Sequence, residues 1–255
     1  MFRQRRRSRH FTILALFLLV QAAVVTFPRV ASAEACGTNQ NLQTGFSTNN
    51  WPGGPEPLTY EGASAVILDR GGYVLCTSDT NGGTNFSTTW TMVFGNTGGY
   101  VQSGTMYRFG FGTCVKRWAE QRQTPTGAFA DFYIGGCSNV GESHRYWQQA
   151  IFTGGAWVLR SNIDTTIIHQ SNWSPFANWQ TPFQVAYSAE TYYAQSHIPG
   201  SPSAPQDWSS MQVQRFDNDS FVDSCSNVFL GSYNQNAGRW SNDAPNCNHI
   251  RSWTR

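Results

Sequence analysis

Three short segments place polar side chains of a kind that can move protons or stabilise charge: YVQSG with Gln102, WAE with Glu120 and SAET with Glu190. A glutamate can hold and deprotonate a water that attacks a carbonyl, then return the proton to a leaving amine. A glutamine stays neutral at every pH and offers an amide N–H to an oxygen that becomes negative during the reaction. With its glutamate near the ordinary value of about 4.3, such a pair is expected to work in the acid range.

The elements that must position these residues read as strands. Alternation sends residues two apart to one face, so YVQSGTMYRF groups Tyr100, Gln102, Gly104, Met106 and Arg108. The same rule groups Lys116, Trp118 and Glu120, and then Ala186, Ser188, Glu190 and Tyr192. If the three faces coincide, Gln102, Glu120 and Glu190 line one aromatic-flanked surface, with Tyr100, Trp118 and Tyr192 as candidate substrate contacts. Solvent-facing polar residues on a half-exposed sheet fit the same alternation, so the pattern leaves both readings open.

About ten such runs follow one another from Leu58, among them ASAVILD, GYVLCT, TTWTMVF, YWQQAIF and MQVQRF, separated by turn signals such as DRGG, NGG and GNTGG. No segment of ten or more residues has helical spacing. The expectation is an all-β, antiparallel two-sheet jelly-roll sandwich whose curved sheet forms an open groove. Residues 34–57, rich in Gly, Asn and Pro, read as a polar amino-terminal extension, 58–224 as the sandwich, and 225–255 as a loop-rich, cysteine-bracketed carboxyl-terminal appendix packed on it.

Ahead of these comes an arginine-rich start, an apolar run of 17 residues and PRVASA, with small residues where signal peptidase needs them. Residues 1–33 therefore read as a secretory signal cleaved after Ala33, with an uncleaved anchor as the alternative. Removing it takes 6 of the 17 basic residues and none of the 15 acids, leaving a net charge of −4. Only one lysine, Lys116, occurs, so no basic patch suits nucleic acid. After cleavage no stable membrane association is expected.

Six cysteines in an exported chain imply three disulfides, and of fifteen connectivities the preferred set is Cys114–Cys137 and Cys225–Cys247 as local staples with Cys36–Cys76. No CxxC occurs, the four histidines after the signal (His144, His169, His197, His249) lack ligand-like or triad-like spacing, and no GxSxG is present. No metal and no cofactor are expected. The acidic run DNDSFVD lacks the Gly and terminal Glu of a calcium loop and reads as a turn. NWSPFANWQTPF, with Trp173, Phe176 and Trp179, is a candidate sugar platform, against which stands ordinary core packing.

The succession GASAVI, a strand with Trp90, YVQSG, a strand with WAE, and later SAET resembles the glutamic peptidase group, the eqolisins and more distantly the neprosin-like proteins, over roughly residues 58–215. The resemblance implies a concanavalin-like sandwich, Gln102 as the catalytic glutamine, Glu190 as the catalytic glutamate, and Glu120 as a further acid lining the groove. Gln121 stands where that group usually carries a second aromatic, and the chain after Asp223 matches nothing in it. Three functions follow: a secreted glutamic-type endopeptidase with a polypeptide substrate, a non-catalytic module binding an extracellular glycan, and a surface protein with neither activity. Sandwich edges can pair between chains, yet no segment marks an oligomer interface.

Overall fold

The computed structural model describes residues 34–38, 40–48, 60–71, 73–77, 85–108, 114–124, 126–127, 130–179, 183–216, 220–225 and 230–255. The expected signal peptide, the rest of the extension and part of DNDSFVD lie outside them. Two antiparallel sheets make up the fold. One runs in the order β14 (Gly231–Asn234), β1 (Gln40–Ser47), β10 (Gln184–Tyr193), β3 (Phe86–Phe94), β4 (Tyr100–Arg108), β5 (Val115–Arg122), β6 (Ala130–Ser138). The other runs β15 (Trp240–Asn246), β16 (His249–Thr254), β12 (Ala204–Arg215), β2 (Tyr60–Leu68), β7 (Ser143–Thr153), β8 (Ala156–Ile163), β9 (Thr166–Gln170). Two short strands, β11 (Gly200–Ser201) and β13 (Phe221–Asp223), pair with β12. A single helical turn, α1 (Pro175–Asn178), is the one α-helix among the described residues, so the chain is an all-β jelly-roll sandwich.

Alternation decides what each face of the first sheet does. Along β10, Val185, Tyr187 and Ala189 turn into the main core, where they meet Ala63, Ile67, Tyr146, Leu159, Trp208 and Val213 of the second sheet. Each large apolar side chain so buried contributes about 1.5–3 kcal/mol. The intervening residues face the other way, where Ala186 joins Trp90, Met106 and Trp118 in a second, smaller cluster. Both faces of β10 are thus covered, which is why all but one of its residues are buried.

Two glycines let this sheet bow. Gly104 lies between Trp90 and Trp118 in register, and a Cβ there would meet the Thr89 carbonyl oxygen at 1.8 Å. Between β1 and β10, a Cβ on Gly45 would meet the Tyr187 carbonyl oxygen at 2.1 Å. Only glycine tolerates such close strand approach.

Three disulfides close the preferred pairs, Cys36–Cys76, Cys114–Cys137 and Cys225–Cys247. Among the described residues no helix is long and apolar enough to cross a membrane.

The ends of the chain correct two expectations. The segment read as an extension supplies β1, inserted between β10 and β14, and the segment read as a loop-rich appendix supplies β14, β15 and β16. Polar strands such as WSNDAPN are held by backbone ladders and by a few buried anchors, here Trp240 and Ile250, and that needs no apolar alternation. GYVLCT, conversely, forms no strand beyond an isolated bridge at Thr77.

Candidate functional site

The groove lies on the outer face of the first sheet. Register places Met92, Gln102, Glu120 and Asp131 side by side across β3, β4, β5 and β6. Four residues along the strands, a second line runs Gln43, Glu190, Thr88, Met106 across β1, β10, β3 and β4. Between the lines lie Ser188, Trp90, Gly104 and Trp118. The three sequence-derived faces therefore coincide, and Gln102, Glu120 and Glu190 line one cavity of about 460 Å³ with Tyr100, Trp118 and Tyr192.

Glu190 is only 9% exposed. The Trp90 indole Nε1 donates to its Oε2 at 3.1 Å, and the Gln43 side chain also favours its charged form. Burial outweighs both donors and pushes the carboxyl up to about 7. The expectation of a glutamate titrating near its ordinary acid value is corrected accordingly: the face that holds Glu190 is covered, and a charge there loses its water.

Glu120 sits across the groove. The Tyr100 hydroxyl donates to its Oε1, and the Gln102 amide Nε2 lies 3.4 Å from the same oxygen. Burial again leads, and the neighbouring Asp131 carboxylate adds to it, so that Glu120 is pushed up to about 8 against the lowering effect of Tyr100. Burial and the Glu120 charge together hold the Tyr100 phenol far above its ordinary range. Near neutrality Glu120 therefore keeps its proton, and Glu190 is poised between its two states. Gln102 is 5% exposed, and its Oε1 has no hydrogen-bond partner among the described residues. A buried amide with an unused acceptor beside the protonated Glu120, in the cavity that Glu190 also lines, is an arrangement suited to binding a polar group.

The aromatic candidates divide. Tyr100 and Tyr192 are half-buried at the groove wall, whereas Trp118 is 1% exposed and forms its floor, its Nε1 donating to the Thr88 hydroxyl at 3.0 Å. The NWSPFANWQTPF platform does not assemble. Trp179 is a core residue whose Nε1 donates to the Gln123 carbonyl, and Trp173 and Phe176 pack against the same core. Of the acidic run read as a turn, Phe221–Asp223 form strand β13 instead, and Asp223 accepts from the Cys225 N–H and from Asn248. No group of three or more potential metal ligands occurs among the described residues.

Sequence reasoning missed Gln43 and Asp131 and did not connect Trp90 to Glu190. Gln43 sits in a segment without periodicity, and Asp131 in a strand read as apolar. The strand register is the signal that joins them, and it is not written in any one segment.

No protein-family profile matches this chain, and no curated protein does. Among solved structures it is similar to a glycoside hydrolase family 16 endo-glucanase from Bacteroides ovatus, with 14% identity, a TM-score of 0.35, and coverage of 64% of this chain and 74% of that one. It is also similar to LamAcat from Zobellia galactanivorans, with 11% identity, a TM-score of 0.31, and coverage of 61% and 62%. A third is the Crh5 transglycosylase, with 9% identity, a TM-score of 0.34, and coverage of 80% and 86%. These likenesses concern the sandwich and carry nothing about the groove. What fold and groove define together is a disulfide-stapled β-sandwich with a carboxyl-lined cleft on one sheet.

Proposed function

We propose that the groove is the active site of an exported hydrolase that cleaves an extended polymer, with Glu190 as the proton-transfer residue and Gln102 as the oxyanion donor. The observation that carries this reading is that a buried carboxyl near half-ionisation and a buried amide line one open cavity, four residues along and two strands apart. On a polypeptide, ionised Glu190 takes a proton from water as its oxygen attacks the peptide carbonyl. Gln102 Nε2 donates to the oxygen that becomes negative. The C–N bond then breaks as Glu190 returns the proton to the amine. Trp90 and Gln43 hold the carboxylate, and Glu120, protonated, keeps a second negative charge away from the oxyanion. Tyr100 and Tyr192 would flank the bound chain. The three disulfides suit an oxidising, extracellular setting.

A second reading rests on a separate observation: of the three carboxyls that line the cleft, Glu120 and Glu190 are raised to different extents in an aromatic-walled groove. An acid and a base set apart in this way also fit glycosidic bond cleavage, with protonated Glu120 as the acid and an extracellular glycan as the partner.

One experiment separates them. The exported chain is incubated between pH 4 and 9 with an unfolded protein and, separately, with a panel of β-glucans, beside Glu190→Gln, Gln102→Ala and Glu120→Gln variants. The peptidase reading expects peptide products and a loss of about 10²–10³ in kcat for Gln102→Ala. Sugar products that depend on Glu120 and Glu190 and tolerate Gln102→Ala transfer the assignment to glycans. No product from either substrate, or variants equal to wild type, removes the hydrolase reading.

A further inference from the structure

The strand that completes the groove is the one that sequence patterning places outside the domain. β1 pairs with β10 over most of its length, with Gln43 directly opposite Glu190. Gln43 lines the same cavity as Gln102 and Glu120, beside Asn41, whose backbone is left-handed with φ of 53°. Its backbone is clamped on both sides: the Gln43 N–H donates to Gln235 Oε1 at 2.8 Å, and the Gln235 N–H donates to the Gln43 carbonyl at 3.0 Å. Ahead of β1, the Cys36–Cys76 disulfide ties the chain down, and the Gly37 N–H donates to Gln195 Oε1 at 2.8 Å. The backbone of the half-buried Gln43 is thus fixed directly across from Glu190, with its side chain lining the same cavity.

We propose that Gln43 is a positioning residue for Glu190, its side-chain amide and the Trp90 indole gripping the carboxylate from the two neighbouring strands so that β1 is an integral part of the active site. This rests on the hydrolase reading for its consequence in catalysis, but the grip itself does not. From β3, Trp90 donates to one oxygen of the carboxylate, and from β1, Gln43 favours its ionised form. The other titratable groups whose fields reach Glu190 are Glu120 on β5, Tyr100 on β4 and Tyr233 on β14. All three are neutral near pH 7, or nearly so, because burial raises each of them. Arg108, Arg122 and Asp131 stand farther out in the same groove. Against that background the loss or gain of one donor at position 43 acts on Glu190 without a competing switch of charge nearby.

The test is the titration of Glu190 followed by carbon NMR of side-chain-labelled glutamate in the whole exported chain, without substrate. The Glu190→Gln variant assigns the signal. Gln43→Met keeps the length and removes the donor, and Gln43→Lys restores a donor with a positive charge. The midpoint should rise by about half a pH unit or more in Gln43→Met and fall below wild type in Gln43→Lys. On any substrate the chain hydrolyses, Gln43→Met should lower kcat about tenfold with KM little changed, and its pH limb should move by the same amount as the NMR midpoint. A wild-type midpoint in both variants overturns the inference. So does a loss of activity with no displacement of the limb, which is what a merely structural role gives. If Gln43→Met lacks the near-ultraviolet dichroism of the folded chain, Gln43→Lys decides on the same titration. A chain that cleaves nothing but whose Glu190 responds to position 43 removes the hydrolase reading and leaves the grip standing.

Discussion

The two sheets treat their carboxylates in opposite ways. On the second sheet, Asp164 follows β8, its Oδ2 2.7 Å from His144 Nδ1 and its Oδ1 accepting the Arg145 N–H at 2.9 Å. Burial tends to raise Asp164, yet the hydrogen bonds from His144 and Arg145 prevail and hold it below the ordinary carboxylate range. In the groove of the first sheet, Glu190 also has donors, Trp90 and Gln43, but burial wins and the carboxyl rises to about 7. The chemical group is nearly the same and each has two donors, so the depth of burial decides the direction. A carboxylate held low fastens a turn and is inert to proton traffic near neutrality. One held near 7 is destabilising to the fold once ionised and ready to exchange a proton near neutrality.

Replacing each carboxylate tests that contrast, and the largest effect belongs to Glu190. Its folded-state value lies above its unfolded value near 4.5, so the folded state binds the proton more tightly. The stability this gives is fully present below about pH 4.5 and is lost as pH rises through 7, a loss of about 3 kcal/mol. Glu190→Gln should abolish that loss, so that urea unfolding at pH 8 finds the variant more stable than wild type while hydrolysis falls about 10²–10⁴-fold. A variant less stable than wild type at pH 8 would show that Glu190 is a structural carboxylate like Asp164.

A smaller effect is expected at the donor. Trp90→Phe keeps a ring in the second cluster and removes the Nε1 donor, which should move the lower limb of the pH–rate profile upward by about one unit, or ~1.4 kcal/mol. An unmoved limb would mean that the indole does not hold the reactive state. The profile as a whole should rise through about 7 as Glu190 ionises and fall above about 8 as Glu120 does, because a second negative charge beside Gln102 opposes the oxyanion.

Least affected should be Asp164→Asn. Asp164 is depressed, so its contribution is present above its unfolded value and disappears as pH falls through the folded one. The side chain is about half exposed, at 49%, and solvent screening limits the cost to under about 1 kcal/mol at pH 7. Activity should not change. If hydrolysis drops as far as in Glu190→Gln, the two faces are coupled and the contrast between them fails.

Much of the groove was legible residue by residue. Gln102, Glu120 and Glu190 each stand in a strand whose period of two is clear, and Tyr100 and Tyr192 share those faces. Gln43 was not legible, because QNLQTGFS is polar on one side and its alternation is blurred by Gly45, which the fold needs for close strand approach. Trp179 misled in the opposite sense: an aromatic cluster in a loop looks like a platform until the core takes it up.

The sequence by itself determined most of the strands between Tyr60 and Arg215, their two faces and the chemical types available, since these depend on local alternation, composition and turn residues. Only the tertiary structure decided that β1 lies beside β10 with Gln43 opposite Glu190, that Trp90 donates to the Glu190 carboxylate, and that burial carries Glu190 to about 7 rather than its ordinary acid value. The physical reason is that register and desolvation are properties of pairs and of surroundings. A glutamate in SAET acquires its surroundings from residues 100 and 147 positions earlier in the chain, Trp90 and Gln43, brought to it by strand pairing.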